Sequence, residues 1–301
     1  MTVGPLGDVK PNKRYKIAYA SQNESNTFVA TVGQGIKAAA QKYGVDLLAM
    51  DNKGDVNQAD INVDNAITQH ADFLLEYGVD PKANIRIADK LKQANMKAIA
   101  IQQALPGFPF YVLDNFQGGY LGGEAVAKAA KAKWGDSQPI DFLVIGVPEF
   151  GVPFQDRDKG AIQGAKSVLP NIKVTEVSDH ADANTARQVT ADFLTAHPND
   201  KVMLWDHQDT LTLSALAAVK AAGRTNDVLI GSLAGEQSIL PELRNPNSIV
   251  VGTVAFFPER WGSDLIPLAI KWLNDGTPPS STINPPMQVL DRNNVDQWYP
   301  K

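Results

Sequence analysis

The fold is predicted most directly by residues 16–50, KIAYASQNESNTFVATVGQGIKAAAQKYGVDLLAM. The apolar run Lys16–Ala20 predicts a β-strand, and Val45–Met50 predicts a second one. Between them, Thr27–Tyr43 places apolar residues at helical spacing on one face, and Gly44 follows where a C-cap glycine is expected. A strand, a helix and a strand in this order are typical of a parallel sheet covered by helices.

The same alternation continues along the chain in two series. The first adds strands at Phe73–Tyr77 and Lys97–Ile101, with a helix that begins at Asp80-Pro81 because aspartate can cap it and proline fits its first turn. The second series alternates strands and helices at Asp141–Val147, Phe154–Val168, Lys173–Val177, Ala183–Ala196, Val202–Asp206, Thr210–Ala222 and Val228–Ser232. The sequence therefore predicts two α/β units.

Further elements lie between and after the two series. A short strand, Tyr111–Leu113, and a helix, Tyr120–Trp134, separate them, and we interpret the strand as the first crossing between two lobes. The second series is followed by more elements than one lobe needs: a strand Ile249–Phe256, a helix Pro258–Asn274, a proline-rich stretch Gly276–Pro286 and a short extended tail.

Length and composition limit the possible functions. With 301 residues, 44% of them hydrophobic and 20% charged, the chain can build two lobes with a core each. A formal charge of −5 argues against nucleic acid and anionic membranes as partners, and the lack of cysteine excludes disulfides and thiolate chemistry. The segment Met1–Arg14 contains no apolar signal-peptide core, so we expect either a cytosolic protein or a sequence that begins at the mature end.

Motifs of common enzyme classes are missing. Gly33-Gln-Gly35 lies inside a predicted helix and not at a strand–helix turn, and neither a phosphate loop nor a Gly-x-Ser-x-Gly elbow occurs. The four histidines, which lack the paired helical spacing of metal ligands, are His70, His180, His197 and His207. We therefore expect no cofactor and no metal.

Carboxylates follow several predicted strands, where ligands of open parallel sheets collect. Glu76, Asp114, Asp206 and Asp209 could form a general acid–base pair. They could equally cap helices or line a polar cleft, and we favour this second interpretation.

Aromatic residues and glycines near the strand ends also have two interpretations. Four phenylalanines lie near the strand ends: Phe150, Phe154, Phe256 and Phe257. Core packing is the favoured role of any one of them taken alone. Together, rings beside amides and acids suit a sugar, because the CH face of a sugar packs on aromatic rings. A glycine group could bind an anion at a helix start, but close helix packing is the favoured explanation for Gly118, Gly119, Gly122 and Gly123.

Several stretches between Lys16 and Val289 carry a family resemblance. They are KIAYA (16–20) before SNTF (25–28), LDN (113–115) ahead of Gly122-Gly123, QDRDKG (155–160), FLTAHP (193–198), LSALAAVKAAG (213–223) and GTVAFFPE (252–259). In this order and spacing, the chain resembles the type I periplasmic binding proteins for sugars, the family of the ribose-binding protein.

The resemblance implies a fold: two Rossmann-like doubly wound α/β lobes joined by a three-segment hinge. Residues 1–114 and 257–285 are expected to form the N-terminal lobe, and residues 115–256 and 286–301 the C-terminal lobe. The crossings are expected near Leu113, Phe256 and Pro286, with closure as a hinge motion.

The resemblance also implies ligand-binding residues. The family's asparagine and aromatic after the first strand fall on Asn26 and Phe28, its cleft arginine on Arg157 and its strand-end asparagine on Gln208. Departures are Gln102-Gln103 in place of an Asp-Arg pair, Phe256 in place of a hinge glutamine, and the loss of an aspartate near Leu233. Glu76 could replace the lost acceptor. The expected contacts are Asn26, Phe28, Glu76, Gln102, Gln103, Asn115, Phe154, Arg157, Gln208 and Phe256.

The function implied is that of a periplasmic solute-binding component of an ABC importer. It would bind a neutral monosaccharide or polyol in the cleft between the lobes and pass it to a membrane permease, as a monomer without catalytic activity. A ligand-sensing receptor for signalling and a cytosolic α/β enzyme on a sugar-like substrate are the alternatives. Only fifteen residues precede Lys16, too few for the helix-turn-helix of DNA-binding relatives, so we expect no repressor.

Overall fold

The computed structural model describes residues 9–137 and 139–300. Residues 1–8, in the segment that lacks an apolar signal-peptide core, lie outside the described residues, as does residue 301 at the end of the tail. The strands are β1 (Lys16–Ser21), β2 (Asp46–Asp51), β3 (Phe73–Tyr77), β4 (Lys97–Ile101), β5 (Phe110–Tyr111), β6 (Ile140–Gly146), β7 (Lys173–Ser178), β8 (Lys201–Asp206), β9 (Val228–Ala234), β10 (Val250–Ala255), β11 (Thr282–Ile283) and β12 (Gln288–Leu290).

Helices alternate with these strands, and short 3₁₀ turns occur at Pro148–Phe150 and Pro258–Arg260. The helices are α1 (Thr27–Tyr43), α2 (Val56–Thr68), α3 (Pro81–Gln93), α4 (Asn115–Trp134), α5 (Val152–Val168), α6 (Ala183–Ala196), α7 (Asp209–Ala221), α8 (Leu240–Arg244), α9 (Trp261–Asp275) and α10 (Val295–Trp298). Among the described residues, none of these helices has both the length and the apolar character needed to cross a membrane.

The chain divides into two compact units. Unit 1 comprises Met1–Leu113 and Phe257–Pro286, and unit 2 comprises Asp114–Phe256 and Met287–Lys301. The predicted strand Tyr111–Leu113 is shorter than expected, and β5 pairs with β4 and β11 inside the sheet of unit 1. The first passage between the units therefore follows this strand, after Leu113, and the strand itself is not the crossing.

Each unit contains one six-stranded sheet. The order in unit 1 is β11-β5-β4-β3-β1-β2, and the order in unit 2 is β12-β10-β9-β8-β6-β7. Among the described residues, all strand pairs are parallel except β10 with β12, which is antiparallel. The predicted fold class of doubly wound α/β lobes is confirmed. The prediction of an extended tail was wrong in part, because the tail forms the short helix α10 in addition to the strand β12.

Small residues let helices approach the sheet of unit 1. Ala18, Ala20 and Leu74 share a buried cluster with apolar side chains of α2 and α3. On the opposite face of β3, Phe73 packs edge-to-face on Trp272 of α9, with ring centroids 5.5 Å apart. Successive residues of a strand point to opposite faces, so this sheet carries helices on both sides.

Glycines hold α4 and α5 together in unit 2. A Cβ atom would lie only 1.9–2.1 Å from a carbonyl oxygen of the opposite helix at Gly119, Gly123, Gly160 and Gly164. Only glycine permits backbones to approach this closely. Close helix packing is therefore confirmed for Gly119 and Gly123, and it fixes the start of α4 beside the first turns of α5.

Candidate functional site

The carboxyl ends of the strands are the natural place for a ligand in each unit. In both sheets the five successive parallel strands follow the spatial order 2-1-3-4-5, counted within the unit. The order reverses between β1 and β3 in unit 1, and between β6 and β8 in unit 2. Open α/β sheets bind ligands beyond the carboxyl ends of strands at such a reversal.

In unit 1, Asn26 and Phe28 follow β1 at the start of α1. Asn26 is the N-cap, and its Oδ1 accepts a hydrogen bond from the Val29 amide at 3.1 Å. The acceptor oxygen is thus used by the helix, and the side-chain NH₂ is the group that Asn26 can offer to a ligand. The half-buried ring of Phe28 packs edge-to-face on Trp261, with centroids 5.4 Å apart. No motif in the sequence indicated Trp261 as the residue whose ring supports Phe28.

Gln102 and Gln103 follow β4 and replace the charged pair of the family. Gln102 has a φ of 58°, a left-handed conformation that is uncommon for a residue other than glycine. Its side-chain Nε2 is buried and lacks a hydrogen-bond partner within the described residues. A buried donor without a partner costs free energy, so a bound hydroxyl or water would satisfy it. The Gln103 carbonyl is held by the Asn84 amide, which donates to it at 3.2 Å.

Glu76 lies inside unit 1. Its side chain is 0% exposed and shares a face of β3 with the core residue Leu74. Its Oε1 accepts a hydrogen bond from the Asn52 amide at 3.0 Å, and the Asn52 oxygen accepts one from Asn62 at 2.8 Å. Burial raises the pKa of Glu76 to about 8, with the Asn52 bond opposing the shift. The carboxyl of Glu76 faces the interior of unit 1. Its position therefore does not support the prediction that Glu76 replaces the lost sugar acceptor, which stays a prediction.

In unit 2, Arg157 lies among other predicted contacts. Its Nε donates to the Asn115 Oδ1 at 2.7 Å, and its guanidinium carbon lies 4.8 Å from the ring centroid of Phe154 and 5.7 Å from that of Phe256. Because α4 and α5 are in glycine contact, Asn115 and Arg157 meet although 42 positions separate them. Arg157 is half-buried and is therefore not a fully solvated surface residue.

Gln208 follows β8, and its side-chain Nε2 donates to Glu236 at 3.1 Å. Glu236 is 8% exposed and also accepts a hydrogen bond from Thr210 at 3.0 Å. This pairing orients the Gln208 amide and leaves its Oε1 as the acceptor for a ligand. Glu236 lies two residues after the end of β9, and no motif in the sequence distinguishes it as the partner of Gln208.

The predicted acid–base candidates have structural partners. Asp114 caps α4, where it accepts a hydrogen bond from the Gln117 amide at 2.9 Å, so its capping interpretation is confirmed. Asp209 is buried and accepts hydrogen bonds from Ser232, Thr253 and the Glu236 amide. Burial raises the pKa of Asp209 to about 7, against the hydrogen bonds from Ser232 and Thr253. With both oxygens engaged, Asp209 is a structural group and not an exposed acid or base.

Comparison with known sequences adds an independent finding. A family described as "Periplasmic binding protein domain" matches residues 17–284. The "D-apiose import binding protein" of Paraburkholderia graminis is 26% identical over 220 residues, which cover 71% of this chain and 68% of that protein. The "D-ribose/D-allose-binding protein" of Pseudomonas aeruginosa is 26% identical over 280 residues, covering 87% of this chain and 83% of the relative.

Solved structures share the fold. An ABC transporter periplasmic solute binding protein from Actinobacillus succinogenes, with bound D-allose, has a TM-score of 0.81 at 23% identity and covers 94% of this chain and 100% of its own. The Caulobacter myo-inositol binding protein has a TM-score of 0.77 at 20% identity, covering 97% and 98% of the two chains.

Proposed function

The chain belongs to the periplasmic binding protein family, and we propose that it is the sugar- or polyol-binding component of an ABC importer. The relatives support this class of ligand, because their names specify apiose, ribose and allose. The observation that carries the proposal is the group around Arg157, where a guanidinium, an amide and two aromatic rings lie together at the carboxyl edge of the unit 2 sheet.

The chemistry of these residues favours a neutral, polyhydroxylated ligand. An amide both donates and accepts hydrogen bonds, as a hydroxyl does, and amides are contributed by Asn26, Gln102, Gln103, Asn115 and Gln208. Aromatic rings pack on the CH faces of a sugar ring. Glu236, bonded to Gln208, would repel a phosphate or carboxylate placed beside it. We therefore propose a free monosaccharide or polyol in preference to a phosphorylated sugar.

We further propose that the protein acts in the periplasm, as a monomer, and delivers its ligand to a membrane permease without transforming it. Family membership supports the location and the transport role. The engagement of Asp114 and Asp209 in capping and internal hydrogen bonds argues against an acid–base pair, which supports binding without turnover.

A thermal-shift screen against pentoses, hexoses and polyols tests the proposal. A specific ligand should raise the melting temperature in a concentration-dependent way, because it binds the folded state alone. Calorimetry should then show one equivalent of that ligand per chain, and chromatography should recover it unchanged. Binding restricted to amino acids, phosphorylated sugars or nucleotides would contradict the ligand class, and conversion of the sugar would contradict a pure binding role.

A further inference from the structure

A second group of ionisable side chains lies in unit 2 and takes no part in the proposed sugar contacts. Asp179 follows β7, Asp206 ends β8, His207 comes next, and Asp158 lies in α5. Asp179 and Asp206 are 0% exposed, His207 is 2% exposed and Asp158 is 5% exposed. We call these four residues the acidic cluster. Three carboxyl groups and an imidazole are thus removed from water together.

The cluster is assembled from three strand ends. The His207 Nε2 lies 3.2 Å from the Asp179 Oδ1. Three residues each offer one potential metal-ligand atom, and these atoms all lie within 4.8 Å of one another: Asp179, Asp206 and His207. At the end of β6, a Cβ on Gly146 would lie 2.3 and 2.5 Å from the two carboxylate oxygens of Asp158. Glycine is therefore required there for Asp158 to approach the group.

Polar atoms of the cluster lack partners. The Asp179 Oδ1 accepts a hydrogen bond from the Ala181 amide at 2.9 Å, and the Asp206 Oδ1 accepts one from the Gln208 amide at 3.1 Å. Within the described part of the chain, no hydrogen bond reaches a second set of buried atoms: Asp158 Oδ1, Asp179 Oδ2, Asp206 Oδ2 and His207 Nδ1. Buried polar groups are ordinarily satisfied, so this set requires a partner that is not a side chain or a backbone group.

The charges of the cluster point to the same requirement. Three buried carboxyl groups lie at one edge of the unit 2 sheet, and the imidazole of His207 contacts one of them. Either protons or a bound cation must neutralise carboxyl groups held this close together in a buried site.

We propose that the acidic cluster binds one divalent transition-metal cation, of the Zn²⁺ or Mn²⁺ type, through Asp179, Asp206 and His207. A cation satisfies the unpartnered carboxylate oxygens and removes their mutual repulsion in one step. The His207 Nε2 faces the Asp179 Oδ1 at 3.2 Å, so a cation bound by both residues takes the place of the proton between them, with the imidazole neutral and its proton on Nδ1. Mixed nitrogen and oxygen ligands suit Zn²⁺ and Mn²⁺, whereas Ca²⁺ and Mg²⁺ prefer oxygen alone.

The site should be loaded during folding, because its ligands are buried. The experiment therefore unfolds the full chain in the presence of EDTA, removes the chelator, and refolds it with Zn²⁺, Mn²⁺, Ca²⁺ or no metal. Elemental analysis after gel filtration should show one equivalent of Zn²⁺ or Mn²⁺ per chain. At a hundredfold excess over its dissociation constant, the metal should raise the melting temperature by roughly 5–10 °C. Ca²⁺ should do neither.

Asp206→Asn should abolish retention of the metal, because it removes one of the two carboxylate ligands. The matched control is His197→Ala, which alters the more exposed group of Asp141, His197 and Asp200. This control should retain the metal. His207→Gln serves as the second variant if Asp206→Asn does not fold, with the same loss expected.

Two results would overturn the proposal. If His197→Ala loses the metal and Asp206→Asn keeps it, the metal binds at the exposed group. If wild type retains no metal and its melting temperature does not respond to Zn²⁺ or Mn²⁺, the acidic cluster is neutralised by protons.

Discussion

Units 1 and 2 have the same order of parallel strands, but the residues at their strand ends differ in charge. The predicted contacts of unit 1 other than Glu76 are amides and a ring, and Glu76 is enclosed with Asn52. Unit 2 places an arginine, Glu236 and the acidic cluster at the equivalent edge. One topology thus supports two different electrostatic environments, because the backbone fixes where side chains point and the side chains fix the charge.

The helix pairs of the two units differ in the same way. In unit 1, a Cβ on Gly262 of α9 would lie 2.1 Å from the Gly35 carbonyl oxygen of α1, and a Cβ on Gly35 would lie 2.3 Å from the Glu259 carbonyl oxygen in the turn before α9. In unit 2, four glycines line the contact of α4 with α5. Unit 2 therefore depends more heavily on backbone contact, and unit 1 on packed side chains.

Gly123→Val should have the largest effect, because it forces α4 and α5 apart. Its Cβ would lie 1.9 Å from the Ala161 carbonyl oxygen, and a backbone atom cannot rotate away. We expect a loss of at least about 4 kcal/mol in the free energy of unfolding. Urea denaturation followed by circular dichroism measures it.

The matched control for Gly123→Val is Gly33→Ala in α1 of unit 1. There the Cβ would lie 2.9 Å from a Glu24 carboxylate oxygen, at the end of a flexible side chain. Because alanine favours the helix over glycine, we expect a change within about 1 kcal/mol, in the stabilising direction. Equal denaturation midpoints for the two variants would show that the contact of α4 with α5 tolerates a side chain at Gly123.

Arg157→Ala should weaken sugar binding by about 2–4 kcal/mol, through loss of charge-assisted hydrogen bonds to ligand oxygens. The variant also loses the contacts with Asn115, Phe154 and Phe256, which should lower the free energy of unfolding of the ligand-free protein by about 1 kcal/mol. Calorimetry with the ligand found in the screen measures the first effect, and denaturation the second.

Lys159→Ala, an exposed change on the same helix, is the control for Arg157→Ala and should leave affinity within about twofold. An Arg157→Ala protein that binds within the same limit would remove Arg157 from the site. It would also weaken the transfer of the other family residues.

Glu76→Gln should remove a pH dependence that belongs to unit 1. The folded-state pKa of about 8 lies above the ordinary value of 4.5, so the folded state holds the proton between these values and the unfolded state releases it. Stability from this group is present below the ordinary pKa and is lost as pH rises towards 8. We expect Glu76→Gln to gain about 3–4 kcal/mol on wild type between pH 5 and pH 8, because the folded wild type keeps a proton that the unfolded chain releases.

Urea midpoints at pH 5 and pH 8 measure this effect, with Tyr19 as the ionisable neighbour of Glu76. Glu24→Gln, an exposed change in the same unit, should follow wild type at both values. A constant difference between Glu76→Gln and wild type across this range would show that Glu76 is ionised in the folded protein.

Much of the fold could be predicted from the sequence because its signals are local. The helices Thr27–Tyr43 and Ala183–Ala196 begin and end where their patterns indicate. Helix α4 begins five residues before its predicted start at Tyr120, because the glycines among its first residues carry no apolar pattern. The caps at Asp80 and Asp114 were predicted since a capping side chain binds amides two or three residues away.

The sequence by itself determined the alternation of strands and helices, and so the doubly wound sheets and the edge at which a ligand can bind. Tertiary structure alone decided that Glu76 is enclosed, that Asn115 meets Arg157, and that Asp179, Asp206 and His207 come together. Strand and helix periods arise from neighbours a few residues apart, whereas these contacts join residues tens of positions apart. They depend on which strands lie side by side, and the burial that shifts a pKa is a sum over every element packed around the group.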